Sequence, residues 1–578
     1  MGPVAIAFLI GMFILALVGK RRRRKQTGRE INATLSTGLP SHETALGRKA
    51  REIVAAQESK LRAPPPIHGS ARWGHELDAA ALVSEPDAGI SHTLRLGGLI
   101  NDDGDTGLDV RAQYPGHILT VAATGQGKSA TQIVENLLHY AGSVVVLDPK
   151  GELYDLTHRH RARFGKVWRL APYAREGEPS DRYNPLDELD DERELGARAR
   201  QLAEMLIVRS GGGEAQFFEN EAVNLLTAII VLVVETTRRP ERRAFRTMTE
   251  VRRICSLPHL ADDGKRKPGI REYLQDVFAA MVKLDNPYLA NQGRTFLGYE
   301  HKLLSSFVSE INANMAFFDG HPGFADVTGA SDFRFADLSR APATVYLTIP
   351  LKHTLISFRY LRAMIGMAFA SLEEQPEATQ ASVLFILDEF AALRDMPFMR
   401  EAVAQMRSSG AWFWFFVQDV AQLESIYGDA ANVFLSQTDH QVFFGSVSDA
   451  KTRAFISKNL GTTTFAYRDA QLSWSQSIGI NDGESAGMQA GSISSGRNVG
   501  QSINVGDPVV LAPKQLLTPF EVGTVLGQRR PGETHPSVSI MFSKQANGFP
   551  LLLRRRHWKA AAADDTRRRA TTLLPVNL

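Results

Sequence analysis

The residues best equipped for chemistry form one run, Ala122-Ala123-Thr124-Gly125-Gln126-Gly127-Lys128-Ser129. It follows the apolar stretch HILTVAAT (117–124) and opens a helical stretch over 130–140. A GxGKS core between a strand and a helix is a phosphate-binding loop: the glycines let backbone N–H groups curl around phosphate oxygens, Lys128 reaches the β and γ phosphates, and Ser129 offers its hydroxyl to Mg²⁺. Thr124, Gly125, Gln126, Gly127, Lys128, Ser129 and Ala130 are therefore the expected nucleotide-holding set, with ATP and Mg²⁺ as the expected ligands. Ala122 stands where the usual pattern has its first glycine, which is tolerable only at negative φ.

Such a loop needs carboxylates from a second strand. VLFILDEF (383–390) is a hydrophobic run ending in Asp388-Glu389. Asp388 is placed to hold the cation through its water shell, and Glu389 to polarise the attacking water as general base. Further on, AWFWFFVQ (411–418) ends in Gln418, which would orient that water if this strand runs beside the one before the phosphate loop. Arg407 precedes the run; its spacing fits either a solvated helix-end cation or an arginine finger acting on a neighbouring subunit. Asp148-Pro149-Lys150-Gly151-Glu152 ends the strand after the phosphate-loop helix, where it reads as a turn.

The elements that must position these groups follow from periodicity. Continuous apolar runs at 117–124, 143–149, 166–172, 344–350, 383–390, 411–418 and 441–447 suit strands buried on both faces of a largely parallel sheet. The predicted class is α/β: a nucleotide-binding domain over 68–185 and 335–550, interrupted by an all-helical insertion over 186–334. Residues 469–507, rich in Ser, Gly, Gln and Asn, are predicted to be a flexible polar loop within the second half, and 551–578 a basic tail.

A chain of 578 residues exceeds what one core supports, and 43% apolar with 22% charged residues is a globular composition. The net charge of +3 neither requires nor excludes nucleic acid. Cys255 is the one cysteine, which excludes an internal disulfide and paired-cysteine zinc sites. Residues 4–18 carry no charge and KRRRRK (20–25) follows at once, so 1–25 reads as a membrane anchor with a basic stop that keeps the remainder in the cytoplasm. Residues 26–67, with Pro64-Pro65-Pro66, read as a stem.

Together HGSARWG (68–74), ATGQGKS, VVVLDPKGELYDLT (144–157), YNPLDEL (183–189), LDEFAAL (387–393), FVQDVAQLESIYG (416–428), FISKNLGTTT (455–464) and LLTPFEV (516–522) resemble the TraG/TraD-type coupling proteins of type IV secretion and conjugation. The resemblance runs from about residue 68 to about residue 545. It implies a hexameric, RecA-like P-loop ATPase at the inner membrane that delivers DNA–relaxase complexes or effector proteins to a type IV secretion channel. It also implies that Lys128 and Ser129 match the family's Walker A, Asp388 and Glu389 its Walker B, Gln418 its glutamine after the next strand, and Arg407 its trans-acting arginine. Many members have two membrane helices; here the sequence shows one. The same core also suits a DNA translocase of the FtsK/HerA kind, or a substrate receptor whose nucleotide only holds a ring together.

Overall fold

The computed structural model describes residues 45–85, 91–209, 212–213, 215–256, 270–373, 382–405, 410–468, 476–479, 492–493, 500–504, 509–529 and 533–560. The expected anchor (1–25) and most of the expected basic tail lie outside these residues, as does Arg407. By contacts the chain divides into a small unit, up to Ala71 plus Gly461–Leu516, and a large one, Arg72–Leu460 plus Leu517 onward.

The large unit is built on one twelve-stranded sheet. Seven parallel strands form one side, in the order Lys166–Leu170, Ala343–Leu347, Ser143–Leu147, Val383–Leu387, Ala411–Val417, Ile118–Val121 and His440–Phe444. These are the seven apolar runs of the sequence. Nearly all their side chains are buried, as continuous apolar runs demand when helices cover both faces. The sheet then continues with antiparallel strands: Val538–Ser543, Leu551–Arg554, Leu94–Asn101, Gly104–Ala112 and the short Val83–Ser84. This antiparallel half, and the strand at 551, depart from the expected parallel sheet and basic tail. Its strands mix polar with apolar positions and Leu94–Asn101 carries two glycines, so no uniform apolar run marks it.

Between Leu170 and Ala343 the described chain forms only helices. They include Leu195–Leu206, Ala215–Thr236, Ile270–Lys283, Pro287–Gly298 and His301–Gly320. The entry to this insertion is fixed by Asn184, whose amide donates to the Arg246 carbonyl at 2.6 Å while its oxygen accepts from the Leu186 N–H at 3.1 Å. Arg246 in turn pairs with Asp190. Two described helices, Ala215–Thr236 and Leu351–Glu373, are long and apolar enough to cross a membrane. Most of each is buried inside this unit, as core helices are.

In the small unit the helix Ala45–Arg62 accompanies an antiparallel pair, Thr462–Arg468 with Val509–Gln515. Three short strands, Gln476–Gly479, Ser492–Ile493 and Gly500–Asn504, form a sheet of their own within the stretch predicted as a flexible loop. Their serines, glycines and asparagines offer no periodic apolar face, which hides them from pattern reading.

A buried arginine locks the parallel half together. Arg161 is 1% exposed, and its guanidinium donates to Thr344 Oγ1 at 2.9 Å, to the Gly142 carbonyl at 2.6 Å and to the Tyr140 carbonyl. It thereby satisfies main-chain oxygens just past the phosphate-loop helix. Arg161→Met keeps the bulk and orphans these acceptors, so it should destabilise the protein by about 2–4 kcal/mol, read as a lower urea midpoint at unchanged m-value.

Candidate nucleotide site

Parallel strands deliver their C-terminal ends to one edge, and the site is assembled there. The strand before the phosphate loop pairs with Ala411–Val417 so that Val121 lies opposite Val417, and the Ala122 N–H bonds to the Val417 carbonyl at 3.0 Å. On its other side Ala411–Val417 pairs with Val383–Leu387, with Leu387 opposite Phe415. One strand thus separates the phosphate loop from the Asp388-Glu389 turn, and Gln418 emerges between them.

The loop itself has the backbone its sequence requires. Gly125 and Gly127 have φ of 74° and 84°, left-handed values that favour glycine. Ala122 is fully buried and not among the residues with positive φ. Gly127 has a second constraint: a Cβ there would sit 2.8 Å from the His535 ring. Thr124 and Gly125 are exposed, Gln126, Ser129 and Ala130 half-buried, and Lys128 buried. Gln126 Oε1 accepts from the Ser446 N–H at 3.0 Å, tying the loop to the end of the neighbouring strand His440–Phe444. The helix begins at Ser129 with a π-type turn, in which the Val134 N–H reaches the Ser129 carbonyl five residues back. Such turns widen a helix and recur at functional sites.

Around the loop the expected chemical groups converge. Lys128 Nζ donates to the Ala122 carbonyl at 3.1 Å and lies 3.8 Å from Glu389 Oε1. Gln418 Nε2 donates to Glu389 Oε2 at 3.2 Å, so one carboxylate faces the lysine and the glutamine at once. Glu389 adopts φ 57°, ψ 44°, a strained conformation for a non-glycine residue. Gln418 is fixed from behind, its N–H bonding Gln422 Oε1 at 3.0 Å, while Asp419 caps the following helix through the Gln422 N–H. Arg407, the remaining expected site residue, lies outside the described residues.

Two carboxylates at adjacent strand tips are held out of water. Leu147 and Leu387 are register partners, which sets Asp148 beside Asp388. Burial pushes the Asp388 carboxyl up to about 6, partly offset by Lys128 and reinforced by the Glu389 and Asp148 charges. Asp148 is also pushed up to about 6, chiefly by burial, against N–H bonds from Tyr154, Leu153 and Gly151. Asp148 is spent on those bonds, with the Tyr154 N–H at 2.8 Å. By contrast Asp388 Oδ1 is shut off from solvent and finds no hydrogen-bond partner among the described residues. An orphaned buried oxygen beside a like charge is a site that a cation would satisfy. Among the described residues no group of three or more His, Cys, Asp or Glu side chains gathers to hold a metal.

The sequence pattern did not reveal the support beneath the loop. Arg555, from the stretch read as tail, is 2% exposed; its Nη1 donates to Thr131 Oγ1 at 2.7 Å and its guanidinium stacks 3.4 Å from the Phe444 ring centroid. Burial lowers it to about 9. Its neighbours Arg554 and Arg556 made the run look like a solvated basic patch. The available signal was LLLR (551–554), the apolar strand just before it.

Comparison with known proteins agrees with this geometry. Residues 68–486 match the family described as type IV secretory system conjugative DNA transfer. The chain is 29% identical over 375 residues to protein VirD4 of Agrobacterium fabrum (strain C58 / ATCC 33970), covering 62% of this chain and 51% of VirD4. It is 26% identical over 469 residues to the probable conjugal transfer protein TraG of Sinorhizobium fredii (strain NBRC 101917 / NGR234), covering 75% of this chain and 68% of that one. The chain thus spans about half the length of the VirD4 relatives it matches. Among solved structures, the bacterial conjugative coupling protein TrwBdeltaN70 superposes with a TM-score of 0.57 at 15% identity, over 85% of this chain and 93% of that one. TrwB in complex with ADP and Mg²⁺ gives 0.52 at 16% identity, over 82% and 97%. These likenesses establish the fold as that of an α/β NTPase, and the extent of the family match decides the rest: this chain belongs to the conjugative DNA transfer family of the type IV secretory system.

Proposed function

We propose that the chain is the ATP-hydrolysing coupling motor of a type IV secretion or conjugation system. The observation that carries this reading is the convergence of Lys128, Glu389 and Gln418 on one point beside an open glycine loop. The loop N–H groups and Lys128 hold the β and γ phosphates; an arriving phosphate replaces Glu389 as the partner of Lys128. Glu389, freed and still bonded to Gln418, accepts a proton from the attacking water, and Gln418 orients that water. Mg²⁺, held by the Ser129 hydroxyl and by Asp388 through its water shell, neutralises charge on the phosphates when bound. That TrwB binds ADP and Mg²⁺ on the same fold supports the assignment.

Arg407 completes the site from a neighbouring subunit, in a homo-oligomer read as a hexamer. The cargo is a relaxase–DNA complex or an effector protein, handed to channel components at the inner membrane, where residues 1–25 anchor the chain. Membership of the conjugative transfer family supports this placement.

Steady-state ATP hydrolysis with single-stranded DNA tests the motor reading. Lys128→Ala and Glu389→Gln should each lower kcat/KM by about 10²-fold or more; a wild-type chain that does not turn over contradicts the proposal. Mixing Arg407→Ala with Lys128→Ala subunits should restore part of the turnover, since one chain then supplies the loop and the other the arginine. No recovery at any ratio refutes the trans role.

The raised Asp388 carboxyl gives a stability prediction of definite sign. In the unfolded chain it ionises near 3.8 and in the folded chain near 6, so its charge weakens the fold increasingly from pH 4 to pH 6 and fully above. Asp388→Asn should therefore stabilise the nucleotide-free protein at pH 7.5 by about 1–2 kcal/mol. The gain should vanish at pH 4, and Mg²⁺-dependent nucleotide binding should be lost. Urea titrations at the two pH values measure it.

A further inference from the structure

The turn that carries Glu389 is tied to the helical insertion by one buried side chain. Arg362, on the helix Leu351–Glu373, is 2% exposed. Its Nη1 donates to the Leu393 carbonyl at 3.2 Å and to the Asp395 carbonyl, and its Nε donates to the Met205 carbonyl at 3.1 Å. Met205 lies in the last turn of Leu195–Leu206, the first α-helix of the insertion, where carbonyls have no partner within the helix. Leu393 ends the single 3₁₀ turn that starts just after Glu389. One planar guanidinium thus spans from the insertion to a point four residues past the expected general base. All of its hydrogen bonds among the described residues go to main-chain carbonyls, so it reads backbone position and not side-chain identity.

The segment it grips is strained at both ends. Glu389 and Arg394 each have φ of 57°, and neither is glycine. Such conformations persist only where the surroundings over-determine them. Arg362 supplies one clamp, and Tyr427 supplies another by donating its hydroxyl to the Arg394 carbonyl at 3.2 Å. Close packing joins the two helices beside the bridge. A Cβ on Gly366, one turn beyond Arg362, would meet Met205 Sδ at 2.6 Å and Cγ at 2.9 Å.

We propose that Arg362 is a positioning residue through which the helical insertion sets the place of Glu389, so that displacement of Leu195–Leu206 changes the rate of hydrolysis without changing the grip on nucleotide. This rests on the proposed ATPase function and adds to it the part of the chain that regulates the site. The clamp acts on the base-bearing turn alone; the phosphate loop and Lys128 stand on another strand and make no bond to Arg362. Misplacing a reacting group by about 1 Å costs roughly 10²-fold in rate, so small movements at Met205 are enough.

A double-mutant cycle on the full-length chain tests this. Arg362→Met keeps the length of the side chain and removes its donors; Gly366→Leu crowds the Met205 side chain on Leu195–Leu206 and lies outside the nucleotide site. Arg362→Met should lower kcat about 10- to 100-fold while the dissociation constant of a fluorescent ATP analogue stays within about twofold of wild type. Gly366→Leu should lower kcat in the wild-type background and add no further loss when Arg362 is already Met. Additive losses, or loss of nucleotide affinity in step with kcat, would overturn the proposal. Arg362→Lys, which keeps the buried charge but not the fork, should behave as Arg362→Met does and serves if that variant folds poorly. Hydrogen exchange at amides 390–396 provides a readout independent of turnover: it should rise in Gly366→Leu and not rise further when Arg362→Met is added. No change there in Gly366→Leu refutes the link even if hydrolysis proves absent, whereas silent wild-type turnover with the exchange pattern intact refutes only the motor reading.

Discussion

The spacing of the site is set by one apolar strand. Ala411–Val417 is buried along its whole length and holds the phosphate-loop strand on one edge and the Asp388-Glu389 strand on the other. Interstrand distance is fixed by the main-chain ladder at about 4.8 Å, so the separation of the phosphate loop from the Asp388-Glu389 turn is a property of the sheet, and the Lys128 and Glu389 side chains close it. The indoles of this strand also find partners: Trp412 Nε1 donates to the Gly116 carbonyl at 2.6 Å and Trp414 Nε1 to Thr120 Oγ1 at 2.9 Å. Thr120 belongs to the run leading into the phosphate loop and Gly116 immediately precedes it, so the aromatic residues that fill the core also fix the register of the strand that carries the loop.

Around that spacer the molecule concentrates its unfavourable features where chemistry would use them. Asp388 keeps an unbonded oxygen, Asp148 is ionisable and buried beside it, and Glu389 sits in a left-handed conformation. Each costs stability in the empty protein. Bound phosphate and cation would relieve two of them, giving ligand binding a favourable contribution that a relaxed site would lack. The surroundings that hold this strain are correspondingly strong: buried Arg161, Arg362 and Arg555 all bond to main-chain or hydroxyl oxygens.

Legibility in the sequence followed physical cause. The seven parallel strands were readable because burial on both faces demands unbroken apolar runs, and GQGKS was readable because the left-handed φ values found at Gly125 and Gly127 favour glycine. The pairing of Gln418 with the phosphate-loop strand was a conditional reading that the register satisfies. The antiparallel half stayed hidden, as its strands mix buried with partly exposed positions and so show no unbroken apolar run. Asp148 looked like a turn residue, since nothing local reveals that Leu147 pairs with Leu387. Arg555 was masked by the arginines flanking it, and Arg362 by Lys352 and Arg359 on the same helix, beside which it reads as one more cation. Each of these depends on contacts distant in sequence, which periodicity does not encode.

In the proposed function Glu389 carries out hydrolysis at a site that Lys128 and the glycine loop have already filled with nucleotide. Trapping tests it most directly: full-length wild type and Glu389→Gln are incubated with Mg²⁺ and labelled ATP, separated from free nucleotide and quenched. The account predicts that wild type retains ADP while Glu389→Gln retains intact ATP in comparable amount. Intact ATP on the wild type, or ADP on the variant at the same rate, would contradict it.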